Sequence, residues 1–337
     1  MTELPLLGRS VHRPTSKSIP RIETRWKGQK SPVYVLRNSH LEEYAIFKTF
    51  NKEYFFNNLL PEKAISYRYE KEKSVNGSEL QKLINNLLQE VEQNKKRYTD
   101  FDILRKRDFN RKKKSGLLIL KCKHHPFVVK VFIENPETFV MHKSKGLVPG
   151  FFFYMAGGIN RHLLGFTRVK NLENIQEKIS KDPLWSKHVT LPRKWFFLPK
   201  QSRWIDINGF NIGAKNKQHI VIPGTYCVVS DFVDAKRRAS VFRREDRRIC
   251  MRLCNYLDLV IDPHIDNFLI ERNTGKIAIV DTEHFLSVVG MKKKKKFTGY
   301  FSWGLHLAMK CAKEMFFKNK LERRLAQLQE SETELRY

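Results

Sequence analysis

The chain has 337 residues, with 64 Lys or Arg against 35 Asp or Glu, and a formal net charge of +29. A hydrophobic content of 41% with 12% aromatic residues excludes a disordered chain and suffices for one large or two modest folded units. The charge points to polyanions (nucleic acid, an anionic membrane surface or phosphorylated small molecules) without choosing among them.

Five cysteines, Cys122, Cys227, Cys250, Cys254 and Cys311, form no C-x-x-C pair and read as buried or neutral thiols of a reducing compartment. "CKHH" at Cys122–His125 has no second cluster of matching spacing, so no metal site is expected there. "GLVPGFFFYMAGGI" is too short to span a bilayer and carries Pro149. No signal-peptide pattern opens the sequence. The expectation is a soluble cytoplasmic protein with no transmembrane segment, with peripheral contact at a membrane surface left open.

Residues 1–40 are rich in Arg, Lys, Ser and Pro and read as a basic, disordered arm with at most a short strand at "VYVL". Residues 41–110 read as a helical extension. Its best helix covers 78–96, where Leu80, Leu83, Ile84, Leu87, Leu88 and Val91 form a stripe that needs a partner, behind a capping-box pattern at Ser78 and Gln81. "KRDFNRKKKSG" reads as a charged linker. Residues 111–232 are sheet-dominated. Strands are expected at Leu117–Lys121 and Phe127–Ile133, and at "KWFFL", "RWIDI", "HIVI" and "TYCVVSDFV", with a helix at "VKNLENIQEKI". Residues 233–337 hold a helix from near Ser240, a hairpin of "NFLIE" and "KIAIV" joined by "RNTG", a helix from about Trp303 to Phe317 and a charged tail helix, "LERRLAQLQ".

Acidic residues cluster beside that hairpin. "VIDPHIDNFLI" at Val260–Ile270 contains Asp262, His264 and Asn267 as D-x-H-x-x-N, and "AIVDTEHF" places Asp281 at the end of the second strand. This constellation resembles the protein-kinase-like phosphotransferase superfamily. Its motif form is nearest to the phosphoinositide kinases and the aminoglycoside and choline kinase-like enzymes. The resemblance spans roughly residues 117–317. It implies an α+β, two-lobed protein-kinase-like fold: a sheet-rich N-lobe over 111–232 and a small helical C-lobe over 233–337, with the β-hairpin between the catalytic loop and the metal-binding Asp.

By the resemblance the cofactors are ATP and Mg2+. Asp281 and Asn267 would hold the metal. Asp262 would orient the acceptor hydroxyl or take its proton, with His264 buttressing the loop or touching a phosphate. Such transfer needs positioning and charge neutralisation more than covalent help. Lys130 in "FVVKVF" is the candidate strand lysine for the nucleotide phosphates, and Asp231 and Phe232 belong to the linker facing the adenine. On the residues alone Lys130 reads equally well as a lysine on an exposed strand face. Lys292, Lys293, Lys294, Lys295 and Lys296 fall in the implied substrate loop, where they would hold an anionic headgroup or phosphorylated acceptor; a solvated charge run is the equal alternative.

The sequence departs from the superfamily in several places. No G-x-G-x-x-G precedes Lys130. Thr282 and Glu283 stand where Phe and Gly are usual, and the helix glutamate that would pair with Lys130 is not assigned, Glu173 and Glu177 being the candidates. A pseudokinase that binds without catalysing is therefore the alternative. A third reading is a nucleic-acid-binding protein, resting on the net charge and "KRRASVFRREDRR" at Lys236–Arg248, without a recognised motif.

Overall fold

The computed structural model describes residues 21–26, 29–34, 49–106, 108–134, 159–210, 218–258, 261–262, 264–284, 299, 301–306 and 308–309. Among these the protein is a mixed α+β structure with several sheets, and no helix is long and apolar enough to cross a membrane.

The central sheet consists of β5 (Phe101–Arg105), β6 (Phe109–Asn110), β7 (Ser115–Cys122), β8 (Phe127–Ile133), β10 (Lys194–Phe197) and β13 (Thr225–Asp231), numbered along the chain. In space the order is β10–β13–β8–β7–β5, with β6 also on β7, and all neighbours are antiparallel. Apart from Lys130, strand β8 is apolar throughout because both of its faces are covered. Phe127, Val129, Val131 and Ile133 pack with Leu80, Ile84, Leu87, Leu88 and Val91 of helix α2 (Gly77–Glu92). The stripe that needs a partner finds it on the central sheet. Asn76, two residues before the predicted start, caps α2 by accepting the Ser78 N–H, and Gln81 donates instead to the Leu60 carbonyl.

On the other face Phe132 of β8 joins Phe55 of α1 (Lys52–Asn57), Leu163 of α3 (Ile159–Gly165), and Phe166 and Val169 at the start of α4 (Thr167–Ser180). The Tyr226 ring stacks on Phe132 at 4.8 Å and on Phe166 at 4.2 Å. Gly165 is required here, since a Cβ on it would sit 1.9 Å from the Tyr226 hydroxyl.

Two expected boundaries are corrected. Residues 21–26 and 29–34 of the basic arm form two paired antiparallel strands, β1 (Arg21–Trp26) and β2 (Gln29–Tyr34), which join β11 (Trp204–Phe210) and β12 (Gln218–Pro223) in the order β12–β11–β1–β2. Arg21 lies opposite Phe210, so the strand is made by a distant edge and not by local periodicity. The 41–110 extension is not wholly helical: it contains the hairpin β3 (Ala64–Ser66) and β4 (Ser74–Asn76), and supplies β5 and β6 to the central sheet.

The expected hairpin after the acidic loop is present as β15 (Phe268–Glu271) and β16 (Ile277–Ile279). Its sheet has the order β14–β15–β16–β9, with β14 at Ala235–Arg238 and β9 (Val189–Thr190) parallel to β16. Cys250, Leu253 and Cys254 of helix α6 (Arg244–Tyr256), with its C-cap Leu257, pack on Phe268, Ile277 and Ile279, together with Trp185 of α5 (Pro183–His188). Burial pushes the Cys250 thiol up to about 12 and the Cys254 thiol well above its ordinary range, as expected of structural thiols.

A polar clasp ties the extension to this hairpin. The buried Glu271 carboxylate accepts from Arg68 Nη2 at 2.8 Å and from the Tyr69 hydroxyl at 2.8 Å on one oxygen, and from Thr274 at 2.7 Å on the other. Burial would raise its pKa, but these hydrogen bonds from Thr274, Arg68 and Tyr69 hold it lower than usual. Glu271→Ala is expected to cost about 3 kcal/mol in urea denaturation, because Arg68 loses its carboxylate in a largely buried setting. With the folded pKa depressed, the clasp contributes fully above the unfolded value of about 4.3 and is lost as pH falls through the folded value. Wild type should therefore lose more stability than Glu271→Gln on acidification below about pH 4.

Candidate functional site

The site lies where the central sheet meets the hairpin sheet. Lys130 projects from the same face of β8 as Phe132 and is 8% exposed. Its Nζ donates to Asp281 Oδ2 at 2.9 Å, across 151 positions of chain. Arg168, in the first turn of α4 and 1% exposed, donates from Nε to Asp281 Oδ1 at 2.8 Å and from Nη2 to Oδ2 at 3.3 Å. Arg168 also binds Glu283, and its guanidinium lies 5.2 Å from the centre of the Phe132 ring. Both oxygens of Asp281 are thus held by cations.

Thr282, fully buried between the two acids, locks the turn. Its hydroxyl accepts from Lys194 Nζ and donates to the Arg168 carbonyl, both at 2.7 Å, while its own carbonyl accepts from Asn171 Nδ2 at 2.8 Å. Thr282 thus gives Lys194 of β10 an oxygen inside the core.

Asp262 and Asn267 stand on the other side of the acidic turn. Asn267 Nδ2 donates to the Asp262 carbonyl at 3.2 Å, and the Asn267 carbonyl accepts the Val280 N–H at 3.0 Å, which fastens the acidic loop to the strand before Asp281. The Asp262 carboxylate accepts the His264 N–H at 3.1 Å. His264 buttresses the loop by capping the short 3-10 turn Ile265–Asn267, and its ring lies 6.3 Å from that of Trp303.

The electrostatics follow from three cations and three carboxylates in one partly desolvated space. Burial would raise Asp281, but Arg168 and Lys130 overcome it and hold the group well below the carboxylate range. Burial lowers the Lys130 pKa, with Asp281 opposing. Lys194 falls well below its ordinary value, through burial and then the positive charge of Lys130. Asp262 is pushed up to about 7, first by burial and then by the charge of Glu283, so its carboxyl changes charge near neutrality.

Other expected site residues have different placements. The Asp231 carboxylate is occupied by Arg193, through its backbone N–H and Nε at 2.9 Å each and Nη2 at 2.8 Å. The Phe232 N–H donates to the Pro126 carbonyl at 2.7 Å, and Lys121 lies 4.1 Å from its ring centre. Neither that carboxylate nor the Phe232 N–H is available to a nucleotide in this arrangement. Glu173 and Glu177 are exposed and pair with Lys170 and Lys181, so the expected lysine–glutamate pair is replaced by Lys130–Asp281. Lys292–Lys296 lie outside the described residues.

Sequence reasoning missed Arg168 and Lys194. Lys194 carried a signal, being a charged residue in phase with the inward Phe196 of "KWFF". Arg168 carried none, since a helix-starting arginine usually faces solvent.

Magnesium takes oxygen ligands, commonly one or two carboxylates with phosphate and water. Asp281 and Asn267 offer that donor chemistry. The charge around Asp281 opposes a dication until Arg168 or Lys130 turns to another anion. Among the described residues no group of three or more His, Cys, Asp or Glu is placed to hold a metal ion. Compared with known protein families, curated proteins and solved structures, the chain matches none.

Arg168→Gln is expected to tighten Mn2+ binding at Asp281 by at least about tenfold, read by the electron paramagnetic resonance of bound against free Mn2+. Asp281→Asn locates the site by removing it. Equal affinity in wild type and Arg168→Gln would show that the guanidinium does not compete with the ion.

Proposed function

We propose that the protein is a phosphotransferase of the protein-kinase-like kind, moving the γ-phosphate of ATP to a hydroxyl of a lipid headgroup, small molecule or protein. The observation that carries this reading is the Lys130–Asp281 pair. A strand lysine and a post-hairpin aspartate, far apart in sequence, meet beside an acidic loop that brings Asp262 and Asn267 to the same turn. The sheet order, the helix α4 between β8 and β10, and the hairpin sheet below support a two-lobed arrangement.

In this reading Lys130 leaves Asp281 for the nucleotide phosphates, and the neighbouring positive charges of Arg168 and Lys194 favour the anion. Asp262 accepts the proton of the attacking hydroxyl; a pKa of about 7 suits a base that must be ionised before transfer and protonated after it. Asp281 and Asn267 would hold magnesium, which when bound neutralises phosphate charge and favours in-line geometry. The buried, free thiols support a reducing, cytoplasmic setting.

A second reading, nucleotide binding without transfer, is favoured by Arg168. Its contacts with Asp281 occupy the carboxylate on which the metal would depend.

Thermal-shift titration with ATP, in Mg2+ and in EDTA, followed by labelled-phosphate transfer to lipid, alcohol and protein mixtures, separates the two. ATP is expected to raise Tm, because a ligand of the native state stabilises it by mass action. Lys130→Ala should weaken that shift. Asp262→Asn should keep the shift and abolish transfer. It should also raise the Tm of the free protein by a few degrees, since one of three crowded carboxylates is neutralised. A shift with no transfer to any acceptor favours the binding-only reading; no shift under any condition removes both.

A further inference from the structure

We propose that helix α6 and the helical residues 301–306 and 308–309, the second helix, together form a docking surface for an anionic lipid bilayer. Arg244, Arg248 and Arg252 recur at every fourth position of α6, and all three are exposed. Phe301, Leu305 and Met309 recur at the same spacing on the second helix and are 68%, 62% and 56% exposed. Side chains four apart lie along one helix face. One helix therefore offers a cationic stripe and the other an apolar stripe.

Arg247 joins the two. Its guanidinium lies 5.0 Å from the centre of the Phe301 ring and donates to the Val241 carbonyl. The adjoining Phe242 is 91% exposed, the most exposed large apolar side chain among those described. Four large apolar side chains thus stand in water beside a row of arginines. A soluble surface seldom leaves such a set uncovered, and apolar side chains beside basic ones mark membrane-surface helices.

The charge selects an anionic partner. The only exposed acid on α6 is Glu245; Asp246 is turned inward to Arg237 and the Ser240 N–H. The apolar stripe selects a bilayer over nucleic acid. Arginines would serve phosphates of either, but Leu305 and Met309 have no planar face for base stacking and suit hydrocarbon.

The opposite face of the second helix carries Trp303, 3% exposed, against His264. Docking would therefore hold the acidic loop beside the lipid headgroups. The surface stands apart from the assignment of activity. That the hydroxyl acceptor is then a lipid headgroup rests on the phosphotransferase reading above.

The test is co-sedimentation of the full chain with vesicles of phosphatidylcholine alone or with 30% phosphatidylserine (roughly, a strongly anionic surface), each at low and high salt. Wild type should bind the phosphatidylserine vesicles only, less at high salt. A basic residue at an anionic surface changes binding by about fivefold, so Arg244→Gln/Arg248→Gln/Arg252→Gln should weaken it by about a hundredfold. Leu305→Ser/Met309→Ser should weaken it by at least about tenfold with Tm unchanged, as both side chains are exposed. Wild-type vesicle binding by the Leu305/Met309 variant overturns the proposal. So does tight binding of a DNA or RNA duplex that displaces vesicles and is indifferent to the apolar substitutions. Vesicle binding without phosphate transfer upholds the surface and counts against the activity alone.

Discussion

One carboxylate, Asp281, is gripped by a lysine from a strand and an arginine from a helix, and much of the structure depends on that grip. The three groups come from β8, α4 and the turn after β16, and each is largely withdrawn from water. An isolated buried charge is costly, whereas a paired and hydrogen-bonded one is tolerable. The central sheet, the covering helix and the hairpin sheet are therefore held to one another at this point. Thr282 adds three hydrogen bonds to the same elements, and the Arg68–Glu271 clasp does similar work at the hairpin's far end.

The same principle accounts for the distribution of charge. Asp231, Asp246, Glu271 and Asp281 each face an arginine, and all but Asp281 are nearly fully buried. These four acids are internal counter-charges. The basic excess is left outside, where the α6 arginines form a stripe with little acid to offset it.

Several features were legible in the sequence because their signals are local. The α2 stripe, strands β7, β8, β10 and β13 of the central sheet and the hairpin at Phe268–Ile279 follow from side-chain period and turn residues. The D-x-H-x-x-N spacing placed Asp262 and Asn267 on one loop, since five positions of chain leave them little room to separate. The β1–β2 pair escaped because its sequence is polar and its pairing edge, 204–210, is distant. The pairing of the Asp231 carboxylate escaped for a related reason: its partner Arg193 comes from a different strand connection, so nothing near Asp231 reveals that its carboxylate is occupied.

The sequence by itself determined most of the segments that would be strands or helices around the site, and that Asp262 and Asn267 share one loop. Only the tertiary structure decided what the groups of the site touch. Lys130 meets Asp281 instead of a helix glutamate, and Arg168 reaches the same acid from inside the core. The reason is physical: side-chain period reports which face of an element is buried, while the identity of an ion-pair partner depends on how elements distant in the chain are packed together.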